Sequence, residues 1–286
     1  MRCEHCGKPF PNFPFPYICK YKMSQPSLIR TVNVTRYVTP LREGGSLPAI
    51  TEADDGFLYV SKFRGAGQGV KALIADLIGG ELARAAGMKV PEIVFGILDE
   101  AFGRTEPDEE IQELLQASTG MNLGIHYLSG AITFDPVVNT LDPLLASRIV
   151  LLDCLLTNVD RTARNTNMLY WQKQLWMIDH GAALYFHHTW MNWEEHAKRP
   201  FDHVKDHVLL PYATELEKAG DELRKILTAQ TIKDVIKLVP DEWLLMNENI
   251  SSAAEARDVY SQFLIKRMNI LDSLIKNAVY AREALV

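Results

Sequence analysis

The chain has 286 residues, of which 36 are acidic and 30 basic, so its formal net charge at neutral pH is −6. Hydrophobic residues make up 47% and charged residues 23%, which is typical of a soluble globular protein with a full core. The acidic balance argues against a general nucleic-acid-binding protein, and no apolar run is long enough to cross a bilayer. We therefore expect a soluble, cytoplasmic protein without a membrane or direct nucleic-acid partner, built as one large domain or two closely packed lobes.

Three of the four cysteines, Cys3, Cys6 and Cys19, lie in a segment rich in proline and aromatic residues at the N-terminus. They resemble part of a zinc site, but a fourth ligand with normal spacing is missing unless a nearby histidine or a second chain supplies it. We therefore expect residues 1–27 to be a poorly ordered extension without zinc. Cys154 stands alone in an apolar helical pattern, which excludes a disulfide framework for the main body.

The first 100 residues alternate between strands, glycine-rich turns and one apolar helix. In chain order we predict a strand at 31–38, a turn at 42–46, a strand at 56–63, a glycine-rich loop at 65–69, a helix at 70–86 and a strand at 90–98. Gly87 is suited to cap the helix, and Pro91 prevents its continuation. These elements predict a mixed α/β N-terminal lobe at residues 28–110.

Helical patterns dominate the rest of the chain. We predict a short acidic helix at 106–116, further helices at 143–157, 202–210, 213–229, 232–239 and 253–281, and a β-hairpin at 168–178. Residues 111–286 would form the C-terminal lobe, and the two lobes would join near residues 99–125. The predicted fold class is α+β, with a mixed β-sheet N-lobe that contains one main helix and a mostly helical C-lobe.

The loop between the helix at 143–157 and the hairpin carries the residues most typical of catalysis. These residues are Asp160, Arg161, Arg164, Asn165 and Asn167, and Asp179 follows the hairpin directly before His180 and Gly181. Metal-assisted phosphoryl transfer needs such a set, because one carboxylate orients the acceptor hydroxyl while an amide oxygen and a second carboxylate hold Mg²⁺ on the nucleotide phosphates. Solvated loops have a similar composition, but the order helix, loop, hairpin and Asp-His-Gly favours a catalytic site.

The predicted N-terminal lobe offers groups that bind phosphates. The turn that precedes its second strand contains Gly44, Gly45 and Ser46. Backbone N–H groups of this turn, the Ser46 hydroxyl and the Lys62 ammonium on the strand would contact a nucleotide. Asp76 or Glu81, on the following helix, would pair with Lys62.

Two stretches of the chain resemble the HipA-like branch of the protein-kinase-like fold. In residues 31–91 the letters KFR follow a glycine turn and a helix ends in AAGMKVP, and residues 141–188 hold the polar loop and the hairpin. The resemblance implies a two-lobed kinase that uses ATP and Mg²⁺. It also implies that Asp160 engages the acceptor hydroxyl, that Asp179 binds metal and that Lys62 binds the nucleotide phosphates.

Other family positions map onto this sequence with differences. Asn165 keeps the usual five-residue offset from Asp160, whereas Asn167 directly precedes the strand, so both are candidate metal ligands and we favour Asn167. Asp76 stands where the family has a glutamate, which is one methylene longer. Ser46 corresponds to a serine that can be autophosphorylated. The chain is shorter than the toxin-type members and we expect it to lack their extra N-terminal subdomain, so toxin activity and a DNA-binding antitoxin partner are not carried over.

We therefore expect a HipA-like kinase that transfers the γ-phosphoryl group of ATP, with Mg²⁺, to a Ser or Thr hydroxyl. Arg161 or Arg164 would neutralise the charge that develops on the transferred group. The alternatives are a small-molecule phosphotransferase of the same fold and a nucleotide-binding pseudokinase or scaffold. A third is a metal-dependent hydrolase built on the six histidines from His180 to His207.

Overall fold

The computed structural model describes residues 28–41, 47–105, 107–246 and 250–285. The predicted N-terminal extension at 1–27, with its three cysteines, and the predicted glycine turn at 42–46 lie outside these ranges. Within the described ranges, none of the helices combines the length and the apolar character that a membrane span requires.

Five strands close into a barrel in the order β1-β2-β3-β5-β4. The strands are β1 (Arg30–Pro40), β2 (Ala49–Ala53), β3 (Leu58–Lys62), β4 (Ile93–Leu98) and β5 (Gly120–His126). Neighbouring strands are antiparallel except for β1 and β4, which pair in parallel and close the barrel. The strands predicted at 31–38, 56–63 and 90–98 correspond to β1, β3 and β4.

Two strands of the barrel, β2 and β5, were not predicted. The sequence of β5, GMNLGIH, contains two glycines and an asparagine, which have low strand propensity. It is a strand because it hydrogen-bonds to β3 on one side and to β4 on the other. The barrel therefore extends to His126, which lies beyond residue 110.

Helix α1 (Gly69–Ala85) packs against the barrel and carries a buried sequence. Every residue from Leu73 to Ala83 is buried, including the carboxylate-bearing Asp76. Burial on all sides follows from its neighbours, because α1 contacts β5 and also the helices of the C-terminal part. Gly87, with φ of +78°, allows the chain to leave the helix where the sequence predicts its end.

Helix α2 (Glu109–Ala117) is followed in the chain by β5, β6 (Ile132–Thr133) and helix α3 (Pro143–Leu156). The Asp142 side chain caps α3 by accepting from the N–H groups of Leu144 and Leu145. The helix ends at Thr157, whose left-handed φ of +54° turns the chain into the predicted catalytic loop. The predicted helix at 143–157 is therefore confirmed.

The predicted hairpin forms a three-stranded sheet with β6. Its strands are β7 (Met168–Trp171) and β8 (Gln174–Met177), in the order β6-β7-β8. Gln172 and Lys173 have positive φ values of +48° and +61°, which fit a two-residue turn that matches the twist of the strands. The hairpin thereby carries the chain from the catalytic loop back to Asp179.

Helices form the rest of the described chain. They are α4 (Trp193–Lys198), α5 (Leu216–Ile226), α6 (Ala229–Ile236), α7 (Asp241–Leu244), α8 (Ala253–Asn269) and α9 (Leu271–Glu283), with 3-10 helices at Phe102–Thr105, Tyr185–His188, Asp202–Asp206 and Leu210–Tyr212. Two predicted helices differ from the structure. The predicted helix at 253–281 is two helices, α8 and α9, which are separated at Ile270. Buried Arg267, near the end of α8, donates to the Cys154 carbonyl of α3 at 2.6 Å. The predicted helix at 202–210 is interrupted at His207, which is extended and forms a β-bridge with Thr162.

Candidate active site

A cleft of about 1380 Å³ is lined by the barrel, α1, the β6–β8 sheet and the loop that follows α3. The predicted site residues that line it are Lys62, Asp76, Asp160, Arg164, Asn165, Asn167 and Asp179. The structure thus brings together predicted residues from both halves of the sequence. Gly44, Gly45 and Ser46 lie outside the described residues.

The ammonium group of Lys62 joins two carboxylates from different elements. Lys62 is the last residue of β3, and its Nζ donates to Asp76 Oδ2 on α1 at 2.6 Å and to Asp179 Oδ1 at 2.7 Å. Burial alone would lower the pKa of Lys62, but the two carboxylates outweigh it and raise the pKa above its usual value, so the ammonium stays charged. Burial raises the pKa of Asp76 to about 6, against the opposing effect of Lys62. Of the two acids predicted to pair with Lys62, Asp76 does so, whereas Glu81 pairs with Arg84 at 3.1 Å.

Asp179 has a left-handed backbone conformation shortly after β8, with φ of +53°. This conformation is uncommon for residues other than glycine and persists only where the surroundings hold it. Here the next residue is held by α1, because the His180 N–H donates to Asp76 Oδ1 at 2.6 Å. The Asp179 side chain remains 44% exposed and lines the cleft. Burial raises its pKa, but the charge and hydrogen bond of Lys62 outweigh that effect and the net pKa is lowered, so the carboxylate is ionised.

Both candidate metal-binding asparagines contact Asp160. Asp160 Oδ2 accepts from Asn165 Nδ2 at 2.8 Å and from Asn167 Nδ2 at 3.1 Å. Asn167 Nδ2 also donates to the Asp160 carbonyl at 3.2 Å, which directs its N–H groups at Asp160 and leaves its Oδ1 without a bond to the described residues. Asn165 is exposed, whereas Asn167 is buried and its carbonyl accepts from the Ile178 N–H at 3.1 Å. Asn167 is therefore the asparagine whose backbone is hydrogen-bonded to the residue directly before Asp179.

The two predicted arginines lie in different surroundings. Arg164 is exposed and lines the cleft. Arg161 does not line the cleft, and none of its side chain is exposed, because its Nε donates to Asp153 Oδ2 at 2.6 Å and its Nη1 to the Asn167 carbonyl at 2.5 Å. Of the two arginines expected as alternatives to neutralise charge on the transferred group, Arg164 therefore lines the cleft, whereas the Arg161 guanidinium lies in the core and hydrogen-bonds to the loop from inside.

Asp153, on α3, is the main residue of this site that sequence analysis overlooked. It interrupts an apolar helical run, and that interruption is the signal that could have identified it. Its side chain is fully buried and accepts from Arg161, from Asn158 Nδ2 at 2.9 Å and from His207 Nε2 at 3.0 Å. Burial raises its pKa, but the charge of Arg161 and the bond from His207 lower it far below the usual value. Tyr127 also lines the cleft directly after β5, and it was overlooked because that strand was not predicted.

Two of the histidines between residues 180 and 207 have side-chain partners in the core. His187 Nδ1 lies 3.0 Å from the Tyr260 hydroxyl, and His207 bonds to Asp153. Among the described residues, no group of three or more histidine, cysteine, aspartate or glutamate side chains could hold a metal ion. The hydrolase alternative therefore has no support in the described part of the chain.

Comparisons with known proteins identify the family of the chain. A model of the HipA-like kinase family matches residues 34–270. No curated protein sequence gives a significant match. The fold is similar to that of the Helicobacter pylori proinflammatory kinase CtkA, with a TM-score of 0.52 and 14% sequence identity over 87% of this chain and 99% of that chain. Similarity to the Golgi casein kinase is weaker, with a TM-score of 0.45 and 12% identity over 91% of this chain and 73% of that chain. Since the matched residues span most of its length, the chain belongs to the HipA-like kinase family and is a kinase.

Proposed function

We propose that this kinase transfers the γ-phosphoryl group of ATP to a Ser or Thr hydroxyl in a reaction that depends on Mg²⁺. The observation that carries the proposal is that one cleft holds Lys62 bonded to Asp179 and also Asp160 bonded to two asparagines. In this proposal the barrel is the N-lobe and the helical part is the C-lobe of a two-lobed kinase. Membership of the HipA-like kinase family supports the reaction class.

The side chains at the cleft fit a magnesium ion. Asp179 is ionised and partly exposed, and the Asn167 Oδ1 accepts no hydrogen bond from the described residues. Both are oxygen donors of the kind that Mg²⁺ prefers, and we propose Asn167 rather than Asn165 as the amide ligand. Bound Mg·ATP would supply the transferable phosphoryl group and a metal charge that offsets the negative charge on its phosphates.

In this proposal Asp160 receives the proton of an acceptor hydroxyl. The two asparagines hold its Oδ2, while its Oδ1 has no hydrogen bond to the described residues. One carboxylate oxygen is therefore fixed and the other is available at the cleft, so the carboxylate can orient a hydroxyl without losing its own position. This geometry favours phosphoryl transfer to an alcohol.

The cationic groups of the cleft have separate roles in the proposal. Lys62 stays charged and would bind the nucleotide phosphates, with Asp76 keeping its ammonium in place. Arg164, exposed at the cleft, would neutralise charge that develops on the transferred group. The turn with Gly44, Gly45 and Ser46 is proposed to cover the phosphates.

A small-molecule phosphotransferase and a nucleotide-binding pseudokinase are the alternatives. The pseudokinase reading is disfavoured because Lys62, Asp160, Asn167 and Asp179 are all present and all line the cleft. The small-molecule reading differs only in the acceptor, which the shape of the pocket selects.

Calorimetric titration with ATP tests the nucleotide site. We expect ATP to bind in the presence of Mg²⁺ and binding to weaken at least about 10-fold in Asp179→Ala, which removes a metal ligand. Asp272→Asn is a suitable control, because this carboxylate is 82% exposed on α9 and outside the cleft. An affinity for Mg·ATP in Asp179→Ala equal to that of the control would refute the assigned metal site.

A further inference from the structure

Helix α7 of the C-terminal part packs against the barrel with one fully buried tryptophan. The Trp243 side chain is 0% exposed, and its ring meets that of Phe95 on β4 edge to face, with 5.5 Å between the ring centroids. Its Nε1 donates a hydrogen bond to the Met121 carbonyl of β5 at 3.1 Å. One side chain therefore joins a helix of the C-terminal part to two strands of the barrel, by packing and by a directed hydrogen bond.

The bond to Met121 lies close to the strand end that carries Lys62. Leu123, two residues after Met121 on β5, is the partner of Lys62 on β3 in the sheet. Arg64, two residues after Lys62, pairs with Glu242 of α7, and its Nη1 lies 3.3 Å from Glu242 Oε1. Helix α7 thus contacts the barrel close to the end of β3, where Lys62 lies.

Trp243 also adjoins α1, the helix that carries Asp76. Val70 and Ile74 of α1 line, together with Trp243, a cavity of only about 20 Å³, so little empty space separates the indole from this helix. Ile74 lies two residues before Asp76, whose Oδ2 accepts from Lys62 Nζ at 2.6 Å. The contacts of α7 therefore reach both supports of this ion pair, which are the helix that bears the carboxylate and the strands around the ammonium.

The ion pair between Lys62 and Asp76 needs α1 to lie close to the barrel. An aspartate has a short side chain, so it reaches the ammonium only if the helix approaches the strand closely. The close approach is visible at Gly80 of α1, where an added Cβ would lie 2.7 Å from Cδ1 of Ile93 on β4. Because a misplacement of about 1 Å can disturb a catalytic arrangement, the spacing of α1 and the barrel has to be held by other contacts.

We propose that Trp243 is a positioning residue, which holds α1 and β5 at the spacing that keeps Asp76 on Lys62. The ion pair then exists before a nucleotide arrives, and Lys62 meets the phosphates from a fixed place. Trp243 acts through α1 and the barrel and does not line the cleft itself. The inference rests on the proposed function, which assigns Lys62 to the nucleotide phosphates.

Calorimetric titration of the folded variants with ATP and Mg²⁺ tests the positioning role. Trp243→Phe keeps an aromatic ring beside Phe95 but loses the donor to Met121, and replacement of Trp243 by benzothienylalanine exchanges only the ring N–H for sulfur. We expect either change to weaken binding of Mg·ATP about 3- to 10-fold, the range that one hydrogen bond contributes. Leu223→Ala is the control, because this leucine is fully buried on α5 and outside the cleft, and it should lower the Tm without changing the affinity.

A double-mutant cycle separates positioning from a general loss of stability. If Trp243 acts through the ion pair, Trp243→Phe should have little further effect on the affinity for Mg·ATP once Asp76→Asn has removed that pair. A merely structural tryptophan would change the affinity equally in both backgrounds or in neither. Wild-type affinity in both replacements of Trp243, or an effect that is undiminished in Asp76→Asn, overturns the inference while the proposed function stands. If the wild type binds no Mg·ATP, the proposed function fails and the inference fails with it.

Discussion

Substitution of Asp153 by asparagine should destabilise the fold far more than its conservative character implies. The side chain keeps its shape, but it loses the charge that compensates Arg161. Both side chains of this ion pair are 0% exposed, and the two atoms that join them are 2.6 Å apart. Asn158 and His207 also donate to the same carboxylate. The Asp153 carboxylate offers two acceptor oxygens to these three donors, whereas the amide of Asp153→Asn offers only one.

The magnitude follows from the burial of the pair. Removing one partner of a fully buried ion pair costs about 3–5 kcal/mol, because the remaining charge stays in the interior without compensation. For a protein of this size about 1 kcal/mol corresponds to a shift in Tm of roughly 2–4 °C. We therefore expect the Tm of Asp153→Asn to be about 6–20 °C below that of the wild type.

Urea unfolding and thermal melts of the ligand-free protein measure this effect. Asp272→Asn is the matched control, since it is the same substitution in an Asp–Arg pair of 2.7 Å whose aspartate is 82% exposed. An exposed pair of this kind contributes at most about 1 kcal/mol. If Asp153→Asn were as stable as Asp272→Asn, the assignment of Arg161 to a buried supporting role would be wrong.

Three further predictions follow from individual side chains. Burial lowers the pKa of His180 in the folded protein to about 3, from the ordinary 6.5 of the unfolded chain. As the pH falls, the unfolded chain is therefore protonated before the folded protein, and the free energy of unfolding decreases below about pH 6.5. Between pH 7 and pH 5 this protonation should lower the free energy of unfolding by about 2 kcal/mol. Urea unfolding of His180→Gln over the same pH range should lack that part of the decrease, and a pH dependence equal to that of the wild type would contradict the prediction. Asn167→Ala should weaken binding of Mn²⁺, measured in the presence of ATP, at least about 10-fold, whereas exposed Asn165→Ala should weaken it less; equal losses would contradict the choice of Asn167. Trp243→Ala should cost about 3–5 kcal/mol by urea unfolding, because this fully buried indole of α7 packs on Phe95 of the barrel; a cost below about 1 kcal/mol would refute its role in joining the two parts.

Local patterns in the sequence were sufficient where the chain itself sets the geometry. Helix α3, its polar loop and the β7–β8 hairpin follow one another without interruption, and their order identified Asp160 and Asp179 as candidates. Lys62 was also identified as a candidate, because it ends a strand whose pattern is clear. Short connections fix these residues relative to one another, so their spacing in the sequence carries structural information.

The features that were not predicted depend on contacts between segments that are far apart in the sequence, and residue spacing carries no information about such contacts. Strand β5 exists because two other strands pair with it, although its own composition disfavours a strand. The different surroundings of Arg161 and Arg164 depend on Asp153, which lies on the preceding helix and was overlooked in the sequence. The choice of Asp76 over Glu81 depends on which face of α1 meets Lys62, and both residues are buried.

Transfer of labelled phosphate from ATP in the presence of Mg²⁺ tests the central claim most directly. The measurement compares the wild type, Asp160→Ala and the control Asp272→Asn in a cell lysate, followed by identification of the labelled residue. We predict that the wild type and the control label a Ser or Thr side chain. Asp160→Ala should lower the rate by about 10²–10⁴-fold while it still binds Mg·ATP, because Asp160 acts on the acceptor and not on the nucleotide. Labelling by Asp160→Ala at the wild-type rate would contradict the account.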